Sequence, residues 1–174
     1  VIETSQTVTI AAPLALTWDY ARDVERWAQI MPGYQSCEIA DEDNSLWVLK
    51  IGVGGLVRTV KVAVQVERWA GPHEVDFAFK LQGDPVEGSG SYRAHGDDMG
   101  RTEVTLAVQV RGSGPMAPMW EAMGAPVLPR FARGFAEELR DRIEVQAGTP
   151  SVENLPPPSL FKRVLAWLGR LFGR

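Results

Sequence analysis

The sequence predicts an α+β fold: a curved antiparallel sheet of about seven strands wrapped around one long C-terminal helix, with two short helices after the first strand. Three observations predict it. Period-two alternation runs from Leu46 to Arg111, broken at intervals by turn clusters. Helical three- and four-residue spacing takes over from Met116 to Ile143. Each alternating segment keeps one wet face, which marks an antiparallel sheet covered on one side, and the late helix is the segment available to cover it.

The opening "VTIAAPLALTWDYARDVERWAQIMPG" starts as a short strand, with Val8 and Ile10 alternating against Thr7 and Thr9. Pro13 suits the first turn of a helix, and Leu14, Trp18 and Ala21 recur at helical spacing. Asp23 is placed to cap a second short helix carrying Val24, Trp27 and Ile30 on one side, and Pro32-Gly33 ends it. "SCEIA" leads into the polar turn "DEDNS". "LWVLKIGV" then sets Trp47, Leu49, Ile51 and Val53 on one side. "LVRTVKVAVQVERW" puts Val60, Val62, Val64 and Val66 on one face and Lys61, Gln65 and Glu67 on the other. "VDFAFKL" turns Val75, Phe77, Phe79 and Leu81 inward, "PVEGSGSYRA" follows, and "RTEVTLAVQVR" turns Val104, Leu106, Val108 and Val110 inward.

In the helical stretch, Met116, Met119, Trp120, Met123 and Val127 fall at three- and four-residue steps, and Phe131, Phe135, Leu139 and Ile143 continue at every fourth. Pro126 and Pro129 do not fit a straight helix interior, so a kink or break is expected there. Gly148 stands at a C-cap position. The expected organisation is a domain over 1–147, a Pro-rich linker over 148–158 and a separate segment over 159–174.

Composition narrows the function. Apolar content of 45% and charged content of 23% are those of a globular protein. The single Cys37 excludes an internal disulfide framework and is expected to act as a small apolar group. "VIETSQTVTI" does not read as a signal peptide, and no apolar run is long enough to span a bilayer, so a cytoplasmic protein is expected. The net charge of −4 includes four cations in the last 16 residues, which leaves −8 on the rest. Such an acidic body argues against a nucleic-acid partner.

Catalytic groups are sparse. His73 and His95 sit in turns without neighbours at metal-ligand spacing, so no metal site is expected. "DEDN" at 41–44 lacks the glycine and distal glutamate of a calcium loop and reads as a hairpin turn. No nucleophile–base pair stands out. The apolar face carries more. In "VEGSGSY", Gly88 and Gly90 share a face with Val86 and Tyr92, which marks either a bulge or close helix approach, or an unfilled hollow. Met116, Met119 and Met123 suit an adaptable ligand wall and equally suit a core. Tyr92 is the inward side chain with a hydroxyl to anchor a ligand carbonyl. The candidate ligand-binding set is Val60, Val62, Val64, Phe77, Phe79, Gly88, Gly90, Tyr92, Val104, Leu106, Met116, Met119, Trp120, Met123, Val127, Phe131 and Phe135.

The opening segment, "GDPVEGSGSY", "RTEVTLAVQVRGSG" and "FARGFAEELRDRI" together resemble the START-like helix-grip superfamily (SRPBCC), and within it the accessory-protein family of carbon monoxide dehydrogenase, over roughly residues 7–145. The resemblance implies an apolar cavity between sheet and C-terminal helix, and an accessory role beside a molybdenum-containing oxidoreductase. The Pro126/Pro129 pair departs from the smooth helix of that pattern.

The segment "SLFKRVLAWLGRLFGR" separates completely when wound as a helix. Leu160, Phe161, Val164, Leu165, Trp167, Leu168, Leu171 and Phe172 fall within an arc of about 160°. Lys162, Arg163, Arg170 and Arg174 fall outside it, with Gly169 and Gly173. At about 24 Å such a helix is too short to cross a bilayer and suits the membrane interface. The same pattern fits a groove on a partner protein. Docking on its own domain is disfavoured by the polar, proline-rich spacer before it, which reaches roughly 34 Å. The expected function is a non-enzymatic carrier of a lipophilic small molecule, such as a quinone or other isoprenoid lipid. No covalently bound cofactor is expected, and the expected location is peripheral, on the inner face of the cell membrane. The alternatives are a polyketide cyclase or aromatase of the same superfamily, and a membrane-recruitment adaptor with a vestigial pocket.

Overall fold

The computed structural model describes residues 1–53 and 55–148; the 159–174 segment and all but the first residue of the 148–158 linker lie outside them. The described chain runs β1 (Ile2–Ile10), α1 (Leu14–Ala21), α2 (Val24–Ile30), β2 (Tyr34–Ile39), β3 (Asn44–Val53), β4 (Leu56–Ala70), β5 (Glu74–Leu81), β6 (Val86–Gly96), β7 (Thr102–Gly112), α3 (Ala117–Gly124) and α4 (Leu128–Gln146). The strands form one sheet in the order β1-β7-β6-β5-β4-β3-β2, antiparallel throughout. Consecutive hairpin neighbours from β2 to β7, closed by β1 against β7, make the α+β helix-grip arrangement expected.

The break expected at Pro126 and Pro129 is present, and it divides the C-terminal helical stretch into a short helix and the long one. The Ala125 N–H ends α3 on the Glu121 carbonyl, and the Phe131 N–H begins α4 on the Val127 carbonyl. Between them, Pro126 has no N–H to continue the ladder, and Pro129 sits in the first turn of α4, where none is needed. The other punctuation holds. The Asp23 carboxylate accepts the Glu25 and Arg26 N–H groups at 3.1 and 3.4 Å, and Gly148 follows α4 with φ +73°.

Strand alternation decides the two faces of the sheet. The concave face carries the apolar side chains. The convex face carries ion pairs, among them Arg68 with Glu74 and Asp76, Arg93 with Asp76, and Arg111 with Glu87. Register shifts at Gln35 and Glu67 add local bends that help curl the sheet. α4 lies along the concave side, mainly against β1.

The interior divides into two halves along α4. Toward its C-terminus the core is solid: Ile10, Val75, Val104 and Ile143 are fully buried. That end is tied by polar contacts. Buried Glu144 accepts the Ala11 N–H through Oε1 at 3.0 Å, and the Thr102 hydroxyl donates to the Ala12 carbonyl at 2.8 Å. Toward the N-terminus of α4 the interior is hollow. Among the described residues no helix is long and apolar enough to cross a membrane.

Candidate ligand-binding cavity

The hollow measures about 260 Å³. The sheet supplies Trp47, Leu49 and Ile51 from β3, Val62 and Val64 from β4, Phe77, Phe79 and Leu81 from β5, Val86 and Tyr92 from β6, and Leu106, Val108 and Val110 from β7. Opposite them stand Val127, Leu128, Phe131, Ala132, Phe135 and Leu139 from α4 and the residue before it, with Trp27 and Met31 at the end of α2. Ile2 and Gly124 complete the wall. An apolar wall left uncovered at this scale is unfavourable until a guest covers it.

The deep end is aromatic. Trp27 stacks on Tyr92 with ring centroids 6.4 Å apart and meets Phe77 edge-on at 5.7 Å. The polar atoms of the wall differ in their partners. The Trp47 indole N–H donates to the Ser45 hydroxyl at 2.9 Å. The Tyr92 hydroxyl has no hydrogen-bond partner among the described residues, although the side chain is 1% exposed. Burial pushes its pKa far up, so it stays a neutral O–H donor. An unpaired donor buried behind an apolar wall is costly.

Of the candidate residues, Val62, Val64, Phe77, Phe79, Tyr92, Leu106, Val127, Phe131 and Phe135 meet around this cavity. Val60 and Val104 are buried on the same face but not on its wall. Gly88 and Gly90 do not open the hollow. Each pairs across β5–β6 with a phenylalanine, Gly88 with Phe79 and Gly90 with Phe77, and the rings lie over them. A Cβ at either position would stand 2.4 Å from the ring's Cζ. The glycines make room for the aromatic wall itself.

Met116, Met119 and Met123 do not front the interior. They are 51%, 41% and 43% exposed. The proline break explains it: α3 is a separate helix that buries none of its residues fully. Trp120 is half-buried with the Arg58 guanidinium over its ring at 5.9 Å. The candidates Leu160, Phe161, Lys162, Arg163, Val164, Leu165, Trp167, Leu168, Arg170, Leu171, Phe172 and Arg174 lie outside the described residues. Wall residues absent from the candidate set fall into two groups. Trp27, Trp47, Leu49, Ile51, Leu81, Val86, Val108, Val110 and Leu139 carry an inward or helical signal without a position; Ile2, Met31, Gly124, Leu128 and Ala132 have no periodic signal.

Other polar groups sit away from the cavity. His73 and His95 are exposed, and His73 Nδ1 lies 2.8 Å from the Ala94 carbonyl oxygen, to which it donates. The Asp41 carboxylate accepts the Asp43 and Asn44 N–H groups, closing a hairpin turn. Cys37 is half-buried, and burial pushes its thiol up. Among the described residues no group of three or more His, Cys, Asp or Glu is placed to hold a metal ion.

Solved structures share the fold. A conserved protein from Geobacillus kaustophilus superposes with a TM-score of 0.72 at 16% identity, over 83% of this chain and 97% of that one. A START superfamily protein from Mycobacterium smegmatis gives 0.63 at 16%, over 83% and 98%. ZhuI aromatase/cyclase from Streptomyces sp. R1128 gives 0.59 at 22%, over 86% and 99%. In sequence, candidate polyketide cyclases from Streptomyces cyaneus and Streptomyces halstedii are both 42% identical, over 40 and 41 residues. These matches take in 23% and 24% of this chain and span 26% and 38% of those proteins' lengths. The model of the family described as polyketide cyclase / dehydrase and lipid transport matches residues 1–144, which take in both the hollow and the helix that covers it. The chain belongs to that family.

Proposed function

We propose that the protein is a carrier that holds a lipophilic molecule in this cavity. One observation supports it above the others: a hollow of about 260 Å³ with an apolar wall throughout and the unpartnered Tyr92 hydroxyl buried just behind it. Such a site takes a flat apolar group, and a small shift of the Tyr92 ring would bring its hydroxyl to one oxygen acceptor on it. A quinone or other isoprenoid lipid head fits that description. The resemblance to the carbon monoxide dehydrogenase accessory-protein family supports a quinone, and with it an accessory role beside a molybdenum-containing oxidoreductase. The basic amphipathic sequence over 159–174 supports peripheral attachment to the inner face of the cell membrane. Mass spectrometry of solvent extracts from natively purified full chain is the test. A recurring lipophilic species in stoichiometric amount is expected; only buffer-derived molecules across preparations would count against a carrier.

A polyketide cyclase is the second candidate, favoured by the names of the Streptomyces relatives and by the family description. A cyclase needs acid and base groups at the reacting carbons. The titratable side chain on this wall is Tyr92, whose raised pKa makes it a poor base. Turnover of a poly-β-ketone by the purified chain, lost in Tyr92→Phe, would establish the cyclase.

A further inference from the structure

Exposed large apolar side chains gather at one end of the molecule. Leu56 and Val57, at the start of β4, are 76% and 74% exposed. Across from them α3 and the residue before it show Met116, Met119 and Met123 to solvent. Arg58 joins the two sides, with its guanidinium over the Trp120 ring and a 2.8 Å ion pair to Asp84 in the β5–β6 loop. The cavity reaches this end. Its deep wall at Trp27, Tyr92 and Leu106 is buried, while Ile51, Leu81, Val86, Val110 and Val127 are half-buried beside the rim. An apolar rim therefore continues an apolar interior, and patches of this kind mark interaction sites.

We propose that this rim is a lipid-insertion surface that seats the cavity mouth in the headgroup–acyl boundary of an anionic bilayer. Three features select lipid as the occupant. The rim is continuous with the cavity wall, so a water-insoluble guest passes from bilayer to protein without crossing water. Arg130 and Arg133, in the first two turns of α4, are exposed and carry no ion pair among the described residues, which complements anionic headgroups. Flexible thioethers adapt to a fluid surface, whereas a protein seated there would plug the mouth. α4 has 19 residues and carries the chain about 28 Å away from the rim before the described residues end.

The test uses the full chain in a Cys37→Ser background, with single cysteines introduced by Val57→Cys, Met123→Cys or Met99→Cys. Each is labelled with an environment-sensitive dye. Met99 is an exposed control in the β6–β7 turn, at the far end of the sheet. Phosphatidylcholine vesicles with phosphatidylglycerol should blue-shift the dye at 57 and 123 and expose it to shallow doxyl-lipid quenchers, leaving 99 unchanged. The triple variant Leu56→Glu/Val57→Glu/Met123→Glu should raise the lipid concentration for half-binding roughly tenfold or more. Bound vesicles with 57 and 123 still in water, no vesicle binding at all, or shielding of both labels by a second copy of the chain without lipid would each overturn the proposal. The readout needs no cargo, so its failure is distinct from failure of the carrier function.

Discussion

Tyr92→Phe should make the empty protein more stable and its ligand complex weaker. The hydroxyl is buried and unpartnered, while the ring is stacked on Trp27, so the substitution removes one oxygen and leaves the packing. Burying a hydroxyl without a partner costs about 1–3 kcal/mol. Relief of about 1–2 kcal/mol of that in the ligand-free state, at about 2–4 °C per kcal/mol for a chain of this size, raises the melting temperature by about 2–8 °C. In the complex the variant loses a hydrogen bond worth about 0.5–1.5 kcal/mol, which weakens binding roughly 2- to 13-fold. The measurements are a thermal scan of delipidated full chain and a titration with a short-chain naphthoquinone. A melting temperature that falls, together with unchanged affinity, would refute the reading of this hydroxyl as an unpartnered donor within reach of a guest.

Three further outcomes follow from the same structure. Ala132→Phe projects a ring from α4 into the hollow of about 260 Å³, so dye binding should fall at least roughly tenfold while thermal stability holds or rises; a solid interior would instead unfold. Gly90→Ala places a Cβ 2.4 Å from the Phe77 ring and 2.9 Å from the Ala107 carbonyl, which should cost about 1–3 kcal/mol in urea denaturation, with Phe77→Leu in the same chain recovering part of it. Hydrogen bonds from Arg93 and then Arg68 hold the Asp76 carboxyl below its ordinary value of 3.8. Its stabilising contribution is therefore complete above about pH 4 and is lost as pH falls through the lower folded value. The stability gap between the protein and Asp76→Asn should close over that acid range in denaturant titrations; a gap constant down to about pH 2 would contradict the pairing.

Side-chain direction is legible in the sequence, and depth along each strand is not. Alternation tells Val62 and Val64 from Lys61 and Gln65, but it treats Val62, Val64 and Val66 alike. Only the sheet's register puts the last in solid core, toward Val75, and the other two on the cavity wall. Gly88 and Gly90 show the same limit. Their missing side chains are visible, yet the rings that occupy the space come from β5, and cross-strand pairing is not written in either strand alone. Helical spacing in α3 reads as a buried stripe only while one helix continues through Pro126. The break leaves those methionines facing outward, and the aromatic floor depends on Trp27 arriving from a helix distant in sequence.

The division of the interior has a bearing on how such a protein can diversify. Glu144, Thr102 and the apolar side chains beside them lock one pole, whereas the residues that line the hollow occupy the other. Substitutions at the open pole can reshape preference for one molecule over another while the locked pole continues to specify the fold. Shape selectivity is thus free to drift among descendants of this scaffold without endangering its assembly.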